Sequence, residues 1–347
     1  MPTEIITTDG TVYSYRHFEI RPLAPNGVRI NVEFAAPKHG TEMHVFKGSP
    51  LEQKVWNSDL RIYMKEPVEP APEGRPVRVV GNTVVGTVLD VGNAVTRLDK
   101  GDRVFAYGPI RDIHDADEQW TWPLGDLSCE DAVSVDPAHV AFVSVRDGNI
   151  RIGDMVAVYG LGAIGLMAVQ IARAGGARRV VGVDPIAIRR DYALAHGADM
   201  VLDPTACDAA FEIKIATGKQ GADVSIETSG AGRALHDAIR CVRKCGTVVN
   251  LAWGPKDCTH LHLDEEFQMN RPTIVGSQCW EGWECPDRDY PLWDGVRQRA
   301  AVRELFDAGL ITGKDLCAPV VTFADAPAML AEVFAKPHTS VKMGVRL

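Results

Sequence analysis

Gly160, Gly162 and Gly165 stand at the spacing GxGxxG, and a carboxylate, Asp184, follows 24 residues after the first of them. Each glycine has a physical task. The first permits a tight turn, the second lets the backbone approach a pyrophosphate, and the third lets a helix pack closely on a strand. The N–H groups that open the following helix, with its positive dipole end, hold phosphate. An acid about 20 residues further on accepts ribose hydroxyls. The chemistry is dinucleotide binding, with Gly160, Gly162, Ile164, Gly165 and Asp184 as contacts. Asp184 repels a 2′-phosphate, so NAD is expected over NADP. An arginine can accommodate that phosphate, which adds Arg189 to the candidates, although Arg189 and Arg190 read first as side chains on a solvated helix face.

Those residues need a strand before the turn, a helix after it and a strand before the acid. Residues 155–159 are apolar, Ile164, Met167, Ala168 and Ile171 recur at helical spacing, and 180–183 are apolar again. Further short apolar runs at 224–226, 248–251 and 274–275 suit central strands, as in a parallel sheet with crossover helices. The first 150 residues read instead as strands and turns. Val28, Ile30, Val32 and Phe34 alternate with polar neighbours, and strands are expected at 84–91 and 103–107. Helices are expected at 296–308 and 327–335. A last strand, 341–347, is expected to return to the first domain. The division implied is 1–150 completed by 294–347, and 151–293.

At 347 residues the chain can bury two cores, and its 46% hydrophobic and 24% charged content is ordinary for a globular protein. A formal charge of −9 argues against nucleic acid or an anionic membrane as partner. The N-terminus has no signal-peptide pattern and no window is apolar enough to span a bilayer, so a cytoplasmic location is expected. Eight scattered cysteines without a CxxC pair suit neither a disulfide framework nor a four-cysteine zinc loop. Cys241 and Cys245 read as two small buried groups on one helix.

The arrangement resembles the medium-chain dehydrogenase/reductase superfamily, which includes the zinc-type alcohol, sorbitol and threonine dehydrogenases. The likeness covers nearly the whole chain and is carried by 95–104 (VTRLDKGDRV), 127–145 (LSCEDAVSVDPAHVAFVSV), 152–165 and 323–332. It implies an α/β protein with a GroES-like β-rich catalytic domain and a Rossmann domain with a doubly wound parallel sheet. It also implies a homodimer or homotetramer. Thr228-Ser229, Leu251-Ala252 and Ser277 fall where the family contacts adenosine and nicotinamide, beyond the carboxyl ends of strands.

The chain departs from the family at the metal. The family's first ligand region, Cys-Gly-Ser/Thr-Asp-x-x with a frequent final His, is His39-Gly40-Thr41-Glu42-Met43-His44 here. The family's Gly-His-Glu is Gly81-Asn82-Thr83, and the position of the third ligand carries Asp136-Pro137. Residues 107–122, which correspond to the structural zinc lobe, hold no cysteine, so structural zinc is expected to be absent. A catalytic zinc uses three His, Cys or carboxylate ligands, and Asn82 is a weak neutral donor, which argues against catalytic zinc. The proton released on hydride transfer then needs another base, and histidine is suited to it. By resemblance Thr41 and His44 form a proton relay. His39 would sit at the substrate oxygen, and Glu42 and Asp136 would orient the imidazoles or hold a substrate hydroxyl. Lys38 is a second candidate base, with a solvated loop lysine as its ordinary reading.

Trp120, Trp122, Trp253, Trp280, Trp283 and Trp293 offer flat faces for a sugar ring, or cover for a core. Polar residues around the altered metal positions favour a polyhydroxylated substrate, since an apolar alcohol would leave them unpaired. The expected activity is NAD-dependent oxidation of a secondary hydroxyl of a sugar, cyclitol or polyol. The alternatives are a zinc-free quinone or enoyl reductase and a non-catalytic nucleotide-binding protein.

Overall fold

Val28, Ile30, Val32 and Phe34 are all buried along the strand Gly27–Ala36, as their alternation requires. The computed structural model describes residues 1–38, 40, 54–65, 77–254, 256–279 and 293–347. Thr83–Val91 pairs antiparallel with Gly27–Ala36 on one side, and Lys342–Arg346 pairs antiparallel with it on the other. The sheet runs Thr121–Pro123, Arg103–Tyr107, Thr83–Val91, Gly27–Ala36, Lys342–Arg346, Cys317–Thr322. Ile113–Asp117 also pairs with Gly27–Ala36. A smaller sheet of Tyr13–His17, Thr3–Thr7 and Arg78–Val79 shares a core with the first through Ile5, Val80 and Ile110. The C-terminal helix Ala326–Ala335 adds Leu330 and Val333 to that core, so the tail returns to the first unit.

The second unit is built on six parallel strands in the order Met200–Leu202, Arg179–Val183, Met155–Tyr159, Ala222–Glu227, Val242–Asn250, Thr273–Gly276. Numbered along the chain this order is 3-2-1-4-5-6, the doubly wound arrangement whose switch point lies between strands 1 and 4.

The division differs from the expected one. The compact units are Met1–Val133 with Cys317–Leu347, and Ser134–Leu316. Helix Val135–Asp147 belongs to the second unit because it packs on Ala163–Ala174 and Gly295–Asp307, where His139 Nε2 lies 3.0 Å from Gln298 Oε1. Gln170 grips residue 312 in both directions, donating to the Thr312 carbonyl at 3.1 Å and accepting from its amide at 2.9 Å. Helical periodicity shows that a helix has an apolar face but not which sheet the face covers.

A second correction concerns the cysteine pair. Cys241 ends the helix Gly232–Cys241 and is buried, whereas Cys245 is exposed, with φ of 57°, in the strand Val242–Asn250. Among the described residues no helix is long and apolar enough to cross a membrane.

Candidate active site

The glycine turn follows Met155–Tyr159, at the switch point of the second unit. Gly160 has φ of +87°, and its amide donates to the Val183 carbonyl at 2.8 Å, which joins the turn to the neighbouring strand. The Thr228 hydroxyl donates to the Gly160 carbonyl at 2.6 Å from the other side. A Cβ on Gly165 would lie 1.8 Å from that same carbonyl oxygen, so only glycine permits this helix to start so close to the strand. Gly162 is the N-cap of Ala163–Ala174 with no side-chain cap, and a Cβ built on it meets nothing within 4 Å. The helix start therefore opens on free space with its first amides available, which is what a pyrophosphate needs. These residues fit a dinucleotide.

Asp184 is almost wholly buried. Its Oδ2 accepts from the Leu161 amide at 2.7 Å and its Oδ1 from the Ile186 amide at 2.8 Å. Arg189 Nη1 lies 3.8 Å from Oδ2. Arg190 Nη1 donates to the Asp184 carbonyl at 2.7 Å and pairs with Asp203 at 3.1 Å. Both arginine side chains are about four-fifths buried, at 20% and 18% exposure, so the solvated face expected for them is corrected. Helix Ala187–Ala195 begins soon after the strand ends at Val183, and Arg190 in it reaches back to the Asp184 carbonyl.

Three further strand ends carry the remaining candidates. The Ser229 amide and hydroxyl both donate to Glu227 Oε1 at 2.6 Å, and the Gly230 amide does so at 2.8 Å. Leu251 and Ala252 donate their amides to the Glu227 carbonyl at 3.0 and 3.2 Å. The Ser277 amide donates to the Asn250 carbonyl at 3.1 Å. Ser277 Oγ and Asn250 Oδ1 are cut off from solvent without a hydrogen-bond partner among the described residues. Ile164 opens the helix next to Ala163 and is half-buried.

Glu227 and Lys256 were not singled out in the sequence. Glu227 is fully buried, and Lys256 Nζ sits 3.5 Å from its Oε2 while donating to the Ala252 carbonyl at 2.5 Å. The signal available was a carboxylate ending an apolar strand, where burial demands a partner.

The catalytic candidates divide between the units. In the first, the Asn82 amide donates to the Ala36 carbonyl at 3.0 Å, and Thr83 pairs with Ala36 across the sheet. Asn82 Nδ2 donates to Thr83 Oγ1 at 3.1 Å. Both residues thus stand beside the strand end that leads through Pro37 and Lys38 to position 39. Lys342, buried in the last strand, donates to the Pro37 carbonyl at 3.0 Å and anchors that exit. His39, Thr41, Glu42 and His44 lie outside the described residues. In the second unit Asp136 is buried in the first turn of Val135–Asp147, a position the helix dipole favours for a carboxylate.

Of the tryptophans, Trp122 stacks on Phe105 at 5.4 Å and meets Tyr107 edge-on at 5.8 Å. Trp293 lies between the guanidinium groups of Arg146 and Arg297, at 3.8 and 4.1 Å. Both serve packing. Trp120 is half-buried, and Trp253, 60% exposed, follows Ala252 at a strand end. Trp280 and Trp283 lie outside the described residues.

Two family models match the chain: the alcohol dehydrogenase GroES-like domain over residues 25–125 and the zinc-binding dehydrogenase domain over 163–289. D-guloside 3-dehydrogenase of Escherichia coli K12 is 40% identical over 99% of this chain and 99% of its own. The probable D-xylulose reductase A of Aspergillus clavatus is 27% identical over 95% of this chain and 94% of its own. Among solved structures, 2R,3R-butanediol dehydrogenase from Bacillus subtilis superposes with a TM-score of 0.77 at 24% identity, over the whole of both chains. The chain is an oxidoreductase that belongs to the zinc-type alcohol dehydrogenase branch of the medium-chain dehydrogenase/reductase superfamily.

Proposed function

We propose that the protein is an NAD-dependent dehydrogenase that oxidises a secondary ring hydroxyl of a sugar or glycoside to a ketone, reversibly and without a catalytic zinc. The observation that carries this reading is the full-length 40% identity to a relative named for oxidation at position 3 of a guloside. The buried Asp184 carboxylate at the glycine turn supports NAD over NADP.

Bound NAD supplies the hydride acceptor. The protein must then hold the carbinol carbon in line and take up the hydroxyl proton. His39 is assigned that proton, with Thr41 and His44 passing it on and Glu42 fixing the imidazoles. Asn82, Thr83 and Asp136 are assigned to neighbouring sugar hydroxyls, for which amide, hydroxyl and carboxylate groups are suited. Trp253, 60% exposed at a strand end, is assigned to the sugar, for which an indole is suited.

The test is a panel of glycosides and polyols incubated with NAD and monitored for NADH. Oxidation of at least one glycoside is expected, and it should persist after chelator treatment. His39→Ala should lower turnover by about 10²- to 10⁴-fold, the usual worth of a general base, with NADH binding unchanged. Turnover abolished by chelation and restored by zinc would overturn the zinc-free mechanism. A strong NADPH preference would favour the reductase reading. NAD binding without turnover of any member would favour a non-catalytic protein.

A further inference from the structure

In the second unit the helix Gly232–Cys241 packs on the short helix Glu266–Asn270. At their junction His236, Glu265 and Glu266 each offer one ligand atom, all within 4.8 Å of one another. His236 Nε2 lies 3.8 Å from Glu265 Oε2, and the ring of His262 meets that of His236 edge-on at 5.4 Å. The stretch Cys258-Thr259-His260-Leu261-His262-Leu263-Asp264-Glu265-Glu266 is itself rich in metal-ligand types.

Two independent features mark the cluster. His236 Nδ1 and Glu266 Oε2 are both cut off from solvent with no hydrogen-bond partner among the described residues, although the side chains bearing them are the ones that converge. A buried ring nitrogen and a buried carboxylate oxygen left unsatisfied on two members of one cluster require an explanation, and an ion is one of the few available. The local charge is also unbalanced towards a cation. Arg240 is divided among Asp208 at 2.8 Å, Asp237 at 3.0 Å and Glu266 at 3.4 Å, and Glu265 adds a fourth carboxylate. Lys214, the other cation near Glu266, spends its donors on the carbonyls of Gln220 and Val242.

We infer that His236, Glu265 and Glu266 form a binding site for a divalent transition cation of the zinc class. An imidazole with carboxylates suits zinc, whereas magnesium asks for an octahedron of oxygens. Zinc–ligand bonds of about 2.0–2.2 Å place tetrahedral ligands roughly 3.3 Å apart, so the present cluster closes slightly when the ion enters. None of these residues contributes to the glycine turn. The ion would clamp 262–266 onto the helix Gly232–Cys241 and so steady the segment that begins with Lys256, the partner of Glu227.

The experiment strips the full-length protein with chelator, dialyses it against zinc chloride and counts zinc per chain by atomic emission, with thermal unfolding recorded in parallel. Wild type is compared with His236→Gln and Glu265→Gln. The Glu265 side chain is 54% exposed, so its substitution leaves packing intact even if the His236 variant folds poorly. Wild type should hold one zinc more than Glu265→Gln and gain thermal stability from zinc that the variant does not gain. Turnover on the best glycoside should be the same in wild type and Glu265→Gln, which separates this site from any zinc at positions 39–44. Equal zinc counts and equal thermal shifts would overturn the inference.

Discussion

The carboxylate of Asp184 accepts the Leu161 amide proton at 2.7 Å, across the 23 residues that separate the end of one strand from the glycine turn of another. The same carboxylate caps the Ile186 amide. A carboxylate accepting backbone N–H groups holds them with charge-assisted strength. Asp184 therefore shapes the turn, and Arg190 holds its carbonyl.

Asp184→Ala should weaken NADH binding by about 10- to 100-fold, since hydrogen bonds to a charged group are each worth about 1.5–3 kcal/mol. Fluorescence titration with NADH and NADPH measures this. An unchanged NADH affinity would remove Asp184 from the cofactor site.

Gly165→Ala places a methyl group 1.8 Å from the Gly160 carbonyl oxygen, and neither backbone can yield without moving the helix start. Dinucleotide binding should be lost and stability should fall by about 1–3 kcal/mol, the range for overpacking. Gly162→Ala, whose Cβ meets open space, should fold normally and lose binding alone. Equal melting temperatures for the two variants would refute the distinction.

Lys256→Met leaves the Glu227 Oε2 atom buried beside an apolar chain. A loss of about 3–5 kcal/mol is expected, as for other buried pairs deprived of one partner. The double variant Glu227→Gln with Lys256→Met should recover part of it. Urea unfolding of the four proteins of the cycle tests this, and strict additivity would show that the two groups do not interact.

His114 is buried with Nε2 2.8 Å from the Tyr107 carbonyl, and desolvation pushes its pKa down to about 4. The unfolded chain takes up this proton near pH 6.5, so the unfolded state binds more protons between about 6.5 and 4. This contribution to stability is complete above pH 6.5 and falls as the pH drops through that window, by about 3 kcal/mol in all. His114→Asn should flatten the dependence of the urea midpoint on pH between 6.5 and 4. A dependence identical to wild type would show that another group titrates.

The glycine turn and its flanking elements were legible because their signal is local. Three glycines, two apolar runs and an acid lie within 31 consecutive residues, 154–184, and each has a backbone reason to be where it is. The strands at 28–34, 84–91 and 103–107 and the returning tail were legible for the same reason. The unit boundaries were not, since Val135–Asp147 joins the second unit through helices distant in sequence, as where His139 meets Gln298, 159 positions away. The burial of Arg189 and Arg190 was not legible because helix periodicity shows a polar face but not the carboxylates, Asp184 and Asp203, that it meets.

By itself, the sequence determined the order of elements, the nucleotide turn and the replacement of metal-ligand types at His39, Asn82 and Asp136, all of which are short-range or residue-type information. Only the tertiary structure decided that Asp184 binds Leu161, that Glu227 pairs with Lys256, and that His236 meets Glu265 and Glu266. Those contacts are made by side chains far apart along the chain. Burial, which makes an unpaired charge costly, selects them only after the sheet has brought the strand ends together.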